Sequence, residues 1–182
     1  GRPVPRDVLV ELLWPESDPA VAVNRLHILV HSLRQIVEPS PSRRERVFIR
    51  SDGDRYFFDT SGPCRLDLDE FRQCIAIGER LEHEGDAASA ADAFEAAVDL
   101  YRGDFLEDDL YSEWTWEERE HLRETCLNTI RKLATNHMEQ GYFDKSIELY
   151  RRALRLDPAR EQNHQGLMAA LLAIGRRDEA LR

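Results

Sequence analysis

Long apolar runs, paired cysteines and glycine-rich loops are all missing from this chain. No hydrophobic stretch approaches the roughly 18 residues needed to cross a bilayer, and no basic-then-apolar leader opens it. The expectation is therefore a protein without membrane contact. Its three cysteines, Cys64, Cys74 and Cys126, are scattered, odd in number and lack metal-ligand spacing. That excludes a disulfide framework and points to a reducing, cytoplasmic compartment. There is no glycine-rich phosphate loop, no His-Glu-x-x-His and no Cys-x-x-Cys, the patterns on which phosphate, zinc and redox chemistry depend. His83, His121, His137 and His164 stand singly on helical stretches, as surface or packing residues. Glu107-Asp108-Asp109 is an acidic run, but hard cations need oxygens converging from a shaped loop, and adjacent acids on one turn are simply solvated. Neither an enzyme nor a cofactor or metal is expected.

What is present suits a soluble globular protein: 182 residues, 42% hydrophobic and 33% charged. The net charge of −10 is unevenly spread. Residues 1–60 carry nine Arg and nine Asp or Glu and sum to zero, so residues 61–182 hold the whole excess. Within residues 20–55 the balance is seven Arg against four acids, +3, with His27 and His31 in addition. A locally basic segment on an acidic body can meet phosphate from one side only.

The chain reads as two regions separated by Ser61-Gly62-Pro63, a loop signal. In the first, a helix is expected over about Arg6–Trp14, with Leu9, Leu12 and Leu13 on one side and Pro15 as its stop. A second helix starts at Ser17 or Asp18, where Pro19 suits the first turn, and runs to about Val37 before Pro39 and Pro41. Projected at 100° per residue, it places Ala22, Leu26, Leu29, Val30, Leu33 and Val37 on a core stripe. Asn24, His27, Ile28, His31 and Gln35 fall opposite, with Arg34 at the edge. Then Val47–Ile49 and Tyr56–Phe58 flank Ser51-Asp52-Gly53-Asp54, which reads as an isolated β-hairpin.

From about Asp67 the pattern is helical and repetitive. Gly141 and Gly175 lie 34 residues apart, the period of a tetratricopeptide repeat. Ser146, Tyr150 and Ala153 follow Gly141 at the offsets at which Ala90, Phe94 and Ala97 follow Gly85, and Ala180 follows Gly175 at the first of them. Ile77-Gly78 stands where the repeat places Leu-Gly, and His137 falls on an inward position. Residues 67–182 should therefore form stacked helix pairs presenting a groove for a protein partner or effector. A 22-residue excess around Tyr101–Glu120 interrupts the period, and Trp114, Trp116, Phe105 and Leu106 are expected to cover the face between the first two pairs. Leu167, Leu171 and Leu172 are expected to form an exposed apolar face on the last pair.

Helix, turn, longer amphipathic helix and hairpin is the order of a winged helix-turn-helix, whose second helix enters the major groove while the wing reaches backbone or minor groove. The side chains that would meet DNA are then Asn24, His27, Ile28, His31 and Arg34 on the helix, with Arg50 and Arg55 beside the wing tip. Ile28 would touch a thymine methyl. The stretch from Arg6 to Val37, followed by the wing, resembles the OmpR-type winged helix of bacterial SARP-type transcriptional activators. Tyr101–Glu120 and Leu167–Leu181 resemble the bacterial transcriptional activator domain that follows it in that family. The matching motifs are Leu13-Trp14, Asn24-Arg25-Leu26, Leu33-Arg34, Arg102-Gly103 and Gly175-Arg176.

The resemblance implies a mainly α protein. A partial winged helix-turn-helix with a β-hairpin wing occupies residues 1–60, entered at its second helix. A TPR-like helical-repeat domain occupies residues 66–182. It further implies a bacterial, cytoplasmic transcriptional activator that binds double-stranded promoter DNA, with a homodimer among its assemblies. One departure bears on strength of binding: the family's Ser-Arg-Leu-Arg is His31-Ser32-Leu33-Arg34 here, one basic residue fewer. That keeps open a second reading, a TPR-like interaction scaffold or sensor of a larger signalling protein, carrying a vestigial winged helix.

Overall fold

Local signals set the elements of the first unit, Gly1–Arg65. The computed structural model describes residues 2–38, 48–60, 64–108 and 112–181. Helix α1 spans Arg6–Leu13 and stops at Trp14, before Pro15. Helix α2 spans Pro19–Val37. Its cap is Asp18, whose carboxylate accepts from Ala20 N at 2.9 Å and Val21 N at 3.3 Å, an arrangement typically worth about 1 kcal/mol. Strands β2 (Ile49–Asp52) and β3 (Arg55–Phe58) form the expected hairpin. Only Gly53 of its two central residues has positive φ, +59°, as a type II′ turn requires.

The hairpin is not isolated. Val4–Pro5 forms a short strand, β1, antiparallel to β3 in the register Val4↔Tyr56, giving the order β1-β3-β2. Two residues are too few to show alternation, and proline, lacking an N–H, fits only such an edge position. Val47, Pro39, Pro41 and the Ser61–Pro63 loop lie outside the described residues.

The core of this unit is narrower than the projection suggests. Ala22, Leu26 and Val30 are buried, whereas Leu29 and Leu33 are 38% and 40% exposed. Buried positions four apart trace a single line along α2, and an eight-residue helix with a small sheet covers no more. A full amphipathic stripe, some 100° wide, needs a second layer against it. Helix α1 itself has no fully buried residue.

The second unit, Leu66–Arg182, is all helical: α3 (Asp67–Glu84), α4 (Ala87–Leu100), α5 (Glu113–Glu139), α6 (Phe143–Leu156), α7 (Glu161–Ala173) and α8 (Arg177–Ala180). Gly85, Gly141 and Gly175 close the turns α3–α4, α5–α6 and α7–α8 with φ of +84°, +80° and +79°, values that favour glycine. The repeat positions face inward: Gly78, Ala90, Phe94, Ala97, Ser146, Tyr150, Ala153 and Ala180 are all buried. The main core joins α3 to α6 around Phe94, Leu127, Ile130 and Leu133. A smaller one joins α6 to α8 around Ile147, Ala170 and Leu171. Leu171 is thus a core residue and Leu167 packs against that cluster, leaving Leu172 as the exposed member of the expected apolar face.

The insertion before α5 is fastened by two arginines. Arg119 donates to the carbonyls of Phe105 (2.8 Å) and Leu106 (3.0 Å), and Leu106 adopts φ +49°. Arg123 pairs with Asp104, which also accepts from Tyr101 Oη at 2.8 Å. The expected covering role falls to Phe105 alone. Thr115 is the inward residue of this turn, so Trp114 and Trp116, one step of about 100° to either side, stand 55% and 66% exposed. Glu107 and Asp108 are exposed; Asp109 lies outside the described residues. Among the described residues no helix is long and apolar enough to cross a membrane.

Candidate nucleic-acid interface

The outer face of α2 and the hairpin next to it form one continuous framework. Glu38, just past the end of α2, is buried. Its Oε1 accepts from the backbone N–H of both Phe48 (2.9 Å) and Ile49 (3.0 Å). From the last turn of α2, Arg34 Nε donates to Ile49 O at 3.0 Å. Phe48 and Phe58 stack across the strands with centroids 5.9 Å apart, and Asp59 N donates to Phe48 O. At the other end, Arg6 N donates to Asp54 O in the hairpin turn. Helix and hairpin are thus bolted together at the C-terminal end of α2, and the hairpin tip is tied to the start of α1.

On this framework Asn24, His27, Ile28 and His31 are all exposed, Ile28 to 68%. They lie opposite the buried line Ala22–Leu26–Val30. The arginines divide. Arg55, on the hairpin tip, is exposed and makes no ion pair among the described residues. Arg50 is half-exposed but pairs with Asp59 at 2.9 Å. Arg34 is drawn inward by Ile49 O, so it acts first as a brace between helix and strand. The projection gave its direction but could not show a carbonyl fifteen residues away. Arg43, Arg44 and Arg46, which contribute to the +3 balance, lie outside the described residues. Glu38 is the residue sequence reasoning missed. A lone acid before a proline carries no signal of two amide protons ten residues on.

A helix braced to a β-hairpin, followed by a tetratricopeptide-like repeat unit, is the arrangement of a class, the SARP-type bacterial transcriptional regulators. Residues 66–182 match the bacterial transcriptional activator domain, and the chain belongs to that family, whose members are transcription regulators rather than enzymes. Among curated proteins it is similar to the regulatory protein AfsR of Streptomyces coelicolor, with 25% identity over 181 residues. That alignment covers all of this chain and 17% of AfsR. Among solved structures it is similar to Mycobacterium tuberculosis EmbR, determined in complex with a low-affinity phosphopeptide. Here the TM-score is 0.78 at 24% identity, covering all of this chain and 47% of that one. The likeness to EmbR establishes the shared fold.

Proposed function

We propose that residues 1–60 bind double-stranded promoter DNA in a bacterial cytoplasm, as the reading head of a transcriptional activator. In this reading α2 enters the major groove with Asn24, His27, Ile28 and His31 toward the bases, and Arg55 meets a phosphate beside the wing. Residues 66–182 serve as the regulatory module and bind a protein partner or effector. Pairing of two chains places two such heads on successive half-sites. The observation that carries the proposal is the polar, exposed row on α2 held in fixed relation to an arginine-tipped hairpin.

Fluorescence anisotropy with duplex DNA across a salt series tests it. Binding should weaken as salt rises, and Arg55→Ala should lower the slope of log affinity against log salt by about 1. His31→Ala should change sequence preference more than affinity. A chain that fails to bind any duplex at low salt defeats the proposal. A second reading, an interaction scaffold with a vestigial winged helix, is favoured by the internal use of Arg34 and Arg50. It would be upheld by that negative result together with retained partner binding.

A further inference from the structure

We propose that the groove between α4 and α6 docks a short, extended peptide segment with acidic residues at its two ends and apolar residues between them. The inference rests on the repeat unit being a partner-binding module. The groove encloses about 590 Å³, a volume in the range of ligand-sized sites. Val98, Leu133 and Leu149 give it an apolar floor.

The charges on its walls select the occupant. On the α4 side, Glu95 and Asp99 are already matched. Glu95 Oε1 lies 3.2 Å from His137 Nε2, and Asp99 Oδ1 lies 3.2 Å from Arg152 Nη1. Arg152 is matched in turn, since its guanidinium also donates to the carbonyls of Val98 and Tyr101. On the α6 side, Lys145 and Arg155 are exposed and have no carboxylate partner among the described residues. Lys145 only lies over the ring of Tyr142, 5.9 Å from its centroid.

Ten residues of helix separate these two cations, about 15 Å at 1.5 Å per residue. An extended peptide covers that span in four to five residues at about 3.3 Å each, so its acids belong four apart. Between the two cations the groove also carries Arg151 and Arg152, taken up by Glu179 at 3.0 Å and Asp99 at 3.2 Å. The exposed Glu148 is therefore the unmatched charge there and repels a third acid in the middle. The pattern is therefore acid, apolar, neutral, apolar, acid.

The probe is a fluorescein-labelled peptide of glutamate, leucine, serine, leucine and glutamate with blocked ends, titrated against the whole 182-residue chain. Saturable binding that strengthens as salt falls is expected. The double variant Lys145→Glu/Arg155→Glu should lose affinity about tenfold or more, while Arg80→Glu on α3 should leave it unchanged. Both reversals are at exposed positions, and circular dichroism checks that the double variant keeps its fold. A peptide with lysine at both ends, or with aspartate in the middle, should bind more weakly. The proposal falls if the first peptide fails to saturate below about 1 mM, or if the double variant binds it unchanged. It also falls if the double variant abolishes duplex DNA binding while Arg55→Ala does not, since the groove would then take phosphate. DNA binding lost on Arg55→Ala is a separate readout, so failure of the DNA reading and failure of this one are told apart.

Discussion

Asp104 sits between Arg123 and the hydroxyl of Tyr101, and the guanidinium of Arg123, with a smaller part from that hydroxyl, holds its carboxyl below the ordinary carboxylate range. The sign of the consequence follows. A depressed folded pKa contributes stability above the unfolded value of about 3.9, and loses it as pH falls through the folded value. Asp104→Asn should therefore cost about 1–2 kcal/mol at neutral pH. The gap in melting temperature between the two proteins should close on acidification below the unfolded carboxylate value. A gap that stays constant down to acid unfolding would show that the loss does not come from the ionised carboxylate. Cys126 provides a second residue-scale check. Burial pushes its thiol up to about 12, and thiols react as thiolates. With iodoacetamide near pH 8, Cys64 and Cys74, both half-buried, should be alkylated first. Mass spectrometry should find Cys126 modified only on unfolding.

Among the elements, the close approach of helices depends on missing side chains. A Cβ on Gly78 would meet the Phe94 ring at 2.5 Å, and one on Gly166 would meet the Tyr150 ring at 2.2 Å. Gly→Ala within a helix ordinarily gains about 1 kcal/mol, but overpacking a filled core costs about 1–3 kcal/mol. Both rings are buried, each 4% exposed, so the cost should win. Gly78→Ala and Gly166→Ala are each expected to lower the melting temperature by a few degrees, about 2–4 °C per kcal/mol for a protein of this size. A rise would show that the rings move freely. Gly78 was legible as a repeat position, and the same spacing gave Gly85, Gly141 and Gly175 as turn residues. Helix α2 was legible because cap, proline and apolar stripe agree. The width of its buried face was not, because periodicity gives a direction and not whether another element covers it. Strand β1 was hidden by its brevity. Arg34 and Glu38 were hidden because their partners are backbone atoms on the far side of a connection.

For the whole molecule, charge sets how tightly duplex DNA would be held under the proposed reading. Competent non-specific binders reach dissociation constants of about 10⁻⁴ to 10⁻⁶ M at physiological salt through several phosphate contacts. This chain carries −10 overall, and of Arg34, Arg50 and Arg55 only Arg55 makes no side-chain pair among the described residues. Random duplex should bind more weakly than about 10⁻⁵ M at physiological salt. Sub-micromolar binding insensitive to salt would place the contact surface elsewhere.

The brace formed by Arg34 and Glu38 has a geometric consequence. A helix and a hairpin fixed to each other form a calliper of set span. Laid on duplex DNA as proposed, one arm would sit in the major groove and the other would report the distance to the neighbouring phosphates. That distance varies with sequence through groove width and bendability, at base pairs that no side chain touches. The brace would thus let the protein choose among sites by the shape of the duplex as well as by the bases it faces. Loosening it would blur the choice among sites without removing a single contact to a base.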